Sequence, residues 1–106
     1  MSSDVQAIVA LGRMPSDEDE PDEGGIWRWQ RALDALDAPL TAEEAVPLLE
    51  CFPPDGSTTF GLAWTLLHAI ESAPYNAGFV EQLDDRSPWV RLLRDRAIRG
   101  GLIEHR

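Results

Sequence analysis

The side chains in this chain with chemistry to offer are His68, Cys51 and a crowd of carboxylates, and their spacing sorts what each could do. His68 shares a helical strip with Thr65 and Ser72 and lies three residues before Glu71. An imidazole beside a carboxylate would suit a small hydrolase, but such an enzyme needs a positioned nucleophile, and no Gly-x-Ser-x-Gly turn occurs. A hydrogen-bonded helix histidine accounts for it more simply. Asp19, Glu23, Gly24 and Ile26 fall at offsets like those of an EF-hand loop, yet Pro21 takes a ligand position and Gln30 stands where the bidentate Glu belongs. Two histidines and one cysteine show no zinc-ligand spacing. With nineteen carboxylates some pair will always be close, so Glu71 and Glu81 do not make a glycosidase-type dyad by count alone. The expectation is a protein that is not an enzyme and holds neither a metal nor a cofactor.

What remains is charge, and it is unevenly placed. The formal net charge is −10, and residues 1–55 carry thirteen Asp or Glu against three Arg, whereas residues 56–106 carry six of each. Asp17, Glu18, Asp19, Glu20, Asp22 and Glu23 form the densest run. Such a field draws in basic proteins, speeds encounter with them and repels nucleic acid and anionic membrane. Asp55, after Pro53 and Pro54, and the pair Asp84 and Asp85 add acids at turns. The bland alternative for the run is a solvated loop that touches nothing. On the last helix, Arg91, Asp95 and Arg99 step four residues apart and read as an intrahelical charge ladder, with cations at the favoured carboxyl end.

These groups must be carried on helices, because the apolar residues recur at three- and four-residue steps and no alternating strand pattern of useful length is found. Val5, Ile8, Val9 and Gly12 mark a first short helix. Residues 15–25 then form an acidic loop. Ile26, Trp29, Leu33 and Leu36 define a second helix ending near Ala38, and Trp27 points away from that stripe, sharing its face with Arg31 and Asp34. An exposed Trp ringed by charge is what an interface hot spot looks like; the competing reading is that the acidic loop folds back over it. Trp29, Trp64 and Trp89 sit on apolar stripes and are expected in the core. Thr41 and Glu44 spell a capping box for a third helix that Pro47 should kink or shorten. Thr58 or Thr59 opens a fourth, central helix running to Ala73, Phe79 to Leu83 suggest a short fifth, and Ser87-Pro88 starts a sixth that Gly100 and Gly101 can stop. The fold class expected is all-α, five to six short helices in antiparallel hairpins within a single helical domain of residues 1–106.

Phe79 to Ala97, FVEQLDDRSPWVRLLRDRA, resembles a HEAT repeat, with Asp85, Pro88, Val90 and Arg91 at the Asp-x-x-Pro-x-Val-Arg positions that open its second helix. Cys51 to Pro74, CFPPDGSTTFGLAWTLLHAIESAP, is similar to a segment of small bacterial HEAT-like immunity proteins of polymorphic toxin and contact-dependent inhibition systems. The resemblance implies a small HEAT-like bundle or solenoid fragment that inhibits stoichiometrically, and a cognate toxin, often a nuclease, as partner. Asp17, Glu18, Asp19, Glu20, Asp22, Glu23, Trp27, Asp55, Asp84 and Asp85 are then the expected partner contacts. The alternative is an acidic helical adaptor with no toxin partner. The N-terminal stretch does not read as a signal peptide, so a cytoplasmic protein is expected, with neither nucleic acid nor membrane as partner, and a monomer or weak homodimer.

Overall fold

The computed structural model describes residues 3–17, 22–36, 39–59, 61–74, 79, 81–83 and 87–101, and every regular element among them is helical. The organising helix is α4 (Leu62–Glu71), in which Leu62, Ala63, Leu66, Leu67 and Ile70 are all buried. A helix apolar over so much of its circumference has to be enclosed by others. It packs against α2 (Glu23–Asp34), α3 (Ala42–Leu48) and α5 (Pro88–Arg99), while α1 (Ser3–Leu11) closes the bundle on α2 and α3. The protein is thus a small all-α bundle, as its periodicity demands.

Local signals set the helix ends. Thr41 Oγ1 accepts from the Glu44 backbone N–H at 3.1 Å and Glu44 Oε1 accepts from the Thr41 N–H at 3.0 Å, so the capping box is complete. Pro47 shortens α3 to seven residues, and the chain continues as a 3₁₀ turn over Leu49–Cys51. Ser87 caps α5 by accepting from the Val90 N–H at 3.1 Å, with Pro88 following, and Gly101 rather than Gly100 takes the left-handed stop, at φ +73°. Of the expected fifth helix, Phe79 to Leu83, only Val80 lies outside the described residues: Phe79 and Leu83 are buried, and residues 81–82 form a turn in which the Gln82 N–H donates to the Phe79 carbonyl at 3.0 Å, so the helix expected here is reduced to about one turn.

The first and fourth helices differ from expectation, the fourth also ending at Glu71, short of Ala73. In α1, Val5 and Ile8 are buried but Val9 is 40% exposed; Met14, beyond the helix, enters the core instead, held by its N–H on the Cys51 carbonyl at 2.9 Å. The fourth helix starts at Leu62 after a left-handed Gly61, without a side-chain cap, because Thr59 is otherwise engaged. Thr59 is fully buried with φ +49°, a conformation unusual for a β-branched residue. Its hydroxyl donates to the Pro15 carbonyl at 2.8 Å and its N–H to Asp17 Oδ1 at 3.1 Å.

Aromatic packing ties α5 to the same turn. Trp89 stacks on Phe52 with ring centroids 5.7 Å apart, meets Trp64 in a T-shaped contact with centroids 4.9 Å apart, and donates its indole N–H to the Ser57 carbonyl at 2.9 Å. Trp64, expected in the core, is 39% exposed, since its helix position faces the rim of this cluster. Cys51 lies buried beside Phe52, and burial, with the Glu50 charge adding and Arg13 opposing, pushes its thiol up to about 11.

Thr59→Val keeps the shape and removes only the donor to the Pro15 carbonyl. Urea unfolding should show a loss of about 1 kcal/mol, the net contribution of such a bond to a half-buried acceptor, with an unchanged slope; a variant as stable as the parent would show that this bond holds nothing.

Candidate functional site

The acidic run is tied down at both of its ends. At its start, Ser16 is buried and donates its hydroxyl to Asp55 Oδ2 at 2.8 Å, and the Asp17 N–H donates to Ser57 Oγ at 3.0 Å. With the two Thr59 bonds, this makes a polar clasp between residues 15–17 and 55–59. Asp55 accepts from the Ser57 N–H at 2.9 Å. Donation from Ser57, through its hydroxyl and then its backbone, and from Ser16 holds the Asp55 carboxyl below its ordinary value. Asp17 and Asp55, expected as partner contacts, are therefore brought together by tertiary structure, each with an oxygen turned inward to the fold.

At its other end the run becomes helix. Asp22 is the N-cap of α2, its Oδ1 accepting from the Gly25 N–H at 2.6 Å, and a side chain at Gly25 would place its Cβ 3.0 Å from that oxygen, so glycine permits the close cap. Glu23 occupies the first helical position, where a carboxylate complements the positive end of the helix dipole. The expected loop of residues 15–25 is corrected here: residues 23–25 are the first turn of α2, because the Asp22 cap starts the helix three residues before its first apolar residue. The helix also ends at Asp34, short of the expected Ala38.

Beyond this cap the helix divides cleanly. Trp29 and Leu33 are buried and anchor it to the bundle, and Trp27 stands 62% exposed on the opposite side. At about 3.6 residues per turn, Glu23, Gln30 and Asp34 fall on one flank of Trp27 and Arg28 and Arg31 on the other. On the acidic flank, Gln30 Nε2 donates to Asp34 Oδ1 at 2.9 Å. An open concavity of about 640 Å³ lies here, lined among the described residues by Glu23, Gly24, Ile26, Trp27 and Gln30. Of the expected contacts, it brings together Glu23 and Trp27. Glu18, Asp19, Glu20, Asp84 and Asp85 lie outside the described residues. Gln30, Gly24 and Ile26 were not foreseen as lining; the helical spacing Glu23–Trp27–Gln30 was the available signal.

The remaining polar groups of α4 are engaged locally or exposed. Glu71, the carboxylate a hydrolase reading needs, receives Arg96 in a bidentate pair, Nε to Oε2 at 2.7 Å and Nη2 to Oε1 at 3.0 Å. At partial exposure such a pair contributes about 1 kcal/mol or less, so it aligns α4 with α5 more than it holds them. His68 is exposed, 6.4 Å from the Trp64 ring. Among the described residues, no three His, Cys, Asp or Glu side chains gather into a cation cage, and no helix is long and apolar enough to cross a membrane.

Compared with known proteins, the chain matches no family model, no curated protein and no solved structure.

The clasp makes a pH prediction with a definite sign. A carboxyl held low when folded adds stability above its unfolded pKa, roughly 3.9, and loses it as pH falls through the folded value. Asp55→Asn should lower the melting temperature at pH 7, and the gap from the parent should narrow below about pH 4; a pH-independent gap would show that the charge on Asp55 is irrelevant.

Proposed function

We propose that this protein works by binding a basic protein, with the exposed Trp27 and the carboxylates at the start of α2 as its docking surface. The observation that carries the reading is Trp27 itself: a large aromatic 62% exposed beside an open concavity, at the edge of the densest acidic run in the chain. Central aromatics of this kind dominate interface energies, and surrounding charge sets the encounter rate. The partner's basic character follows from complementarity to a field of net charge −10. Rigidity supports the same reading. Trp29 and Leu33 fix the helix from behind, so the surface is presented with little ordering to be done on association.

Within that class, we infer an immunity protein that neutralises a cognate toxin domain by occupying its cationic face. Carboxylates standing where substrate phosphates would lie compete for the same Arg and Lys side chains. The support for this finer reading is the likeness of Cys51 to Pro74 to a segment of HEAT-like immunity proteins and of Phe79 to Ala97 to a HEAT repeat, together with the charge.

The test is to capture the partner from the native cell, identify it and measure association kinetics. A basic protein should bind, Glu23→Arg should slow association several-fold at low salt, and Trp27→Ala should weaken the complex by roughly thirtyfold, the scale of a hot-spot loss. A partner that is acidic, or that binds both variants like the parent, refutes the surface. If the partner is basic but harmless when expressed alone, the adaptor reading replaces immunity.

A further inference from the structure

We propose that the concavity beside Trp27 is a seat for an arginine side chain of the partner, selecting guanidinium over ammonium; this rests on the basic-partner reading above and names the group that the surface grips. The chemistry of the lining carries it. Glu23 is exposed and contributes a carboxylate, an acceptor only. Gln30 has its amide Nε2 donating to Asp34 Oδ1 at 2.9 Å, which turns the Oε1 acceptor away from Asp34. Trp27 adds a flat π face at 62% exposure, and half-buried Ile26 an apolar wall against which a methylene stem can lie.

The arrangement therefore offers two acceptors and an aromatic plane from one helix face. A guanidinium is planar, stacks on an indole and carries five donors in a fixed fork, whereas an ammonium is compact and more strongly hydrated. Arg28 and Arg31, the nearest cations on α2, lie on the other flank of Trp27 and do not line the cavity. The partial positive charge of the helix N-terminus, about half a unit, is outweighed by the carboxylates of Asp22 and Glu23. Gly24 keeps the seat open: a Cβ there would meet only Asp22 Oδ1, at 3.8 Å, so a larger side chain would enter the cavity without straining the backbone.

Two charge-matched probes decide it: a capped hexapeptide alternating glycine with arginine, and its lysine counterpart. Binding is followed by NMR on the backbone amides of α2, reporters that every variant retains, at about 50 and about 300 mM salt to separate contact from long-range attraction. The arginine peptide should bind roughly fivefold tighter than the lysine peptide at both salts. That preference should vanish in Trp27→Ala, Gln30→Ala and Gly24→Leu, the last of which improves helix propensity and so keeps the fold. Equal binding of the two peptides, or a preference that survives Trp27→Ala, overturns the arginine seat while leaving the basic-partner reading intact. Failure of both peptides to bind the parent protein even at low salt overturns the two together.

Discussion

The structure depends on the clasp that joins residues 15–17 to the turn at 55–59. Its members are short side chains and backbone groups: Ser16 to Asp55, Asp17 to Ser57, Thr59 to Pro15 and to Asp17. A loop that leaves a helical bundle carries polar backbone that must be paired, and here the pairing is made by partners about forty residues away in sequence. Burial of Thr59 makes that pairing obligatory, since an unpartnered hydroxyl or carbonyl in the core is far more costly than an exposed one. The same turn receives the Trp89 indole on the Ser57 carbonyl, so α5, the 55–59 turn and the start of the acidic run are locked to one another.

From this follows a division among residues of the same type. The acids differ by where their oxygens go: Asp17 and Asp55 turn inward to the clasp, Asp22 closes the first turn of α2, Glu71 aligns Arg96, and Glu23 faces the open concavity. The tryptophans divide likewise. Trp29 and Trp89 are enclosed, Trp64 is an edge contact at the rim, and Trp27 stands out from the surface. The net charge of the chain is therefore not the charge its surface has free, because acids that already serve the fold have oxygens committed to it.

Much of this was legible in order along the chain. The Thr41–Glu44 box, the Ser87-Pro88 start and the shortening at Pro47 were read correctly because each is set by bonds between residues three or four apart. The apolar circumference of α4 announced a central helix for the same reason: its period is local. The outward placement of Trp27 came from the Ile26–Trp29–Leu33 stripe. Burial of individual side chains was not legible in the same way. Ser16 and Thr59 are polar and buried, and Val9 is apolar and exposed, since what faces each depends on segments remote in sequence.

The amino-acid order alone determined that this would be an acidic all-helical protein, with its charge in the first half and one tryptophan off the stripe of α2, because periodicity and charge are properties of neighbouring residues. Only the tertiary structure decided which acids are committed to the fold and which stand open. Asp17 and Asp55 met across the chain and were drawn into the fold, while Glu23, Trp27 and Gln30 were left around a cavity. Hydrogen bonds between distant segments assign those roles, and no local pattern encodes which segment will lie alongside which.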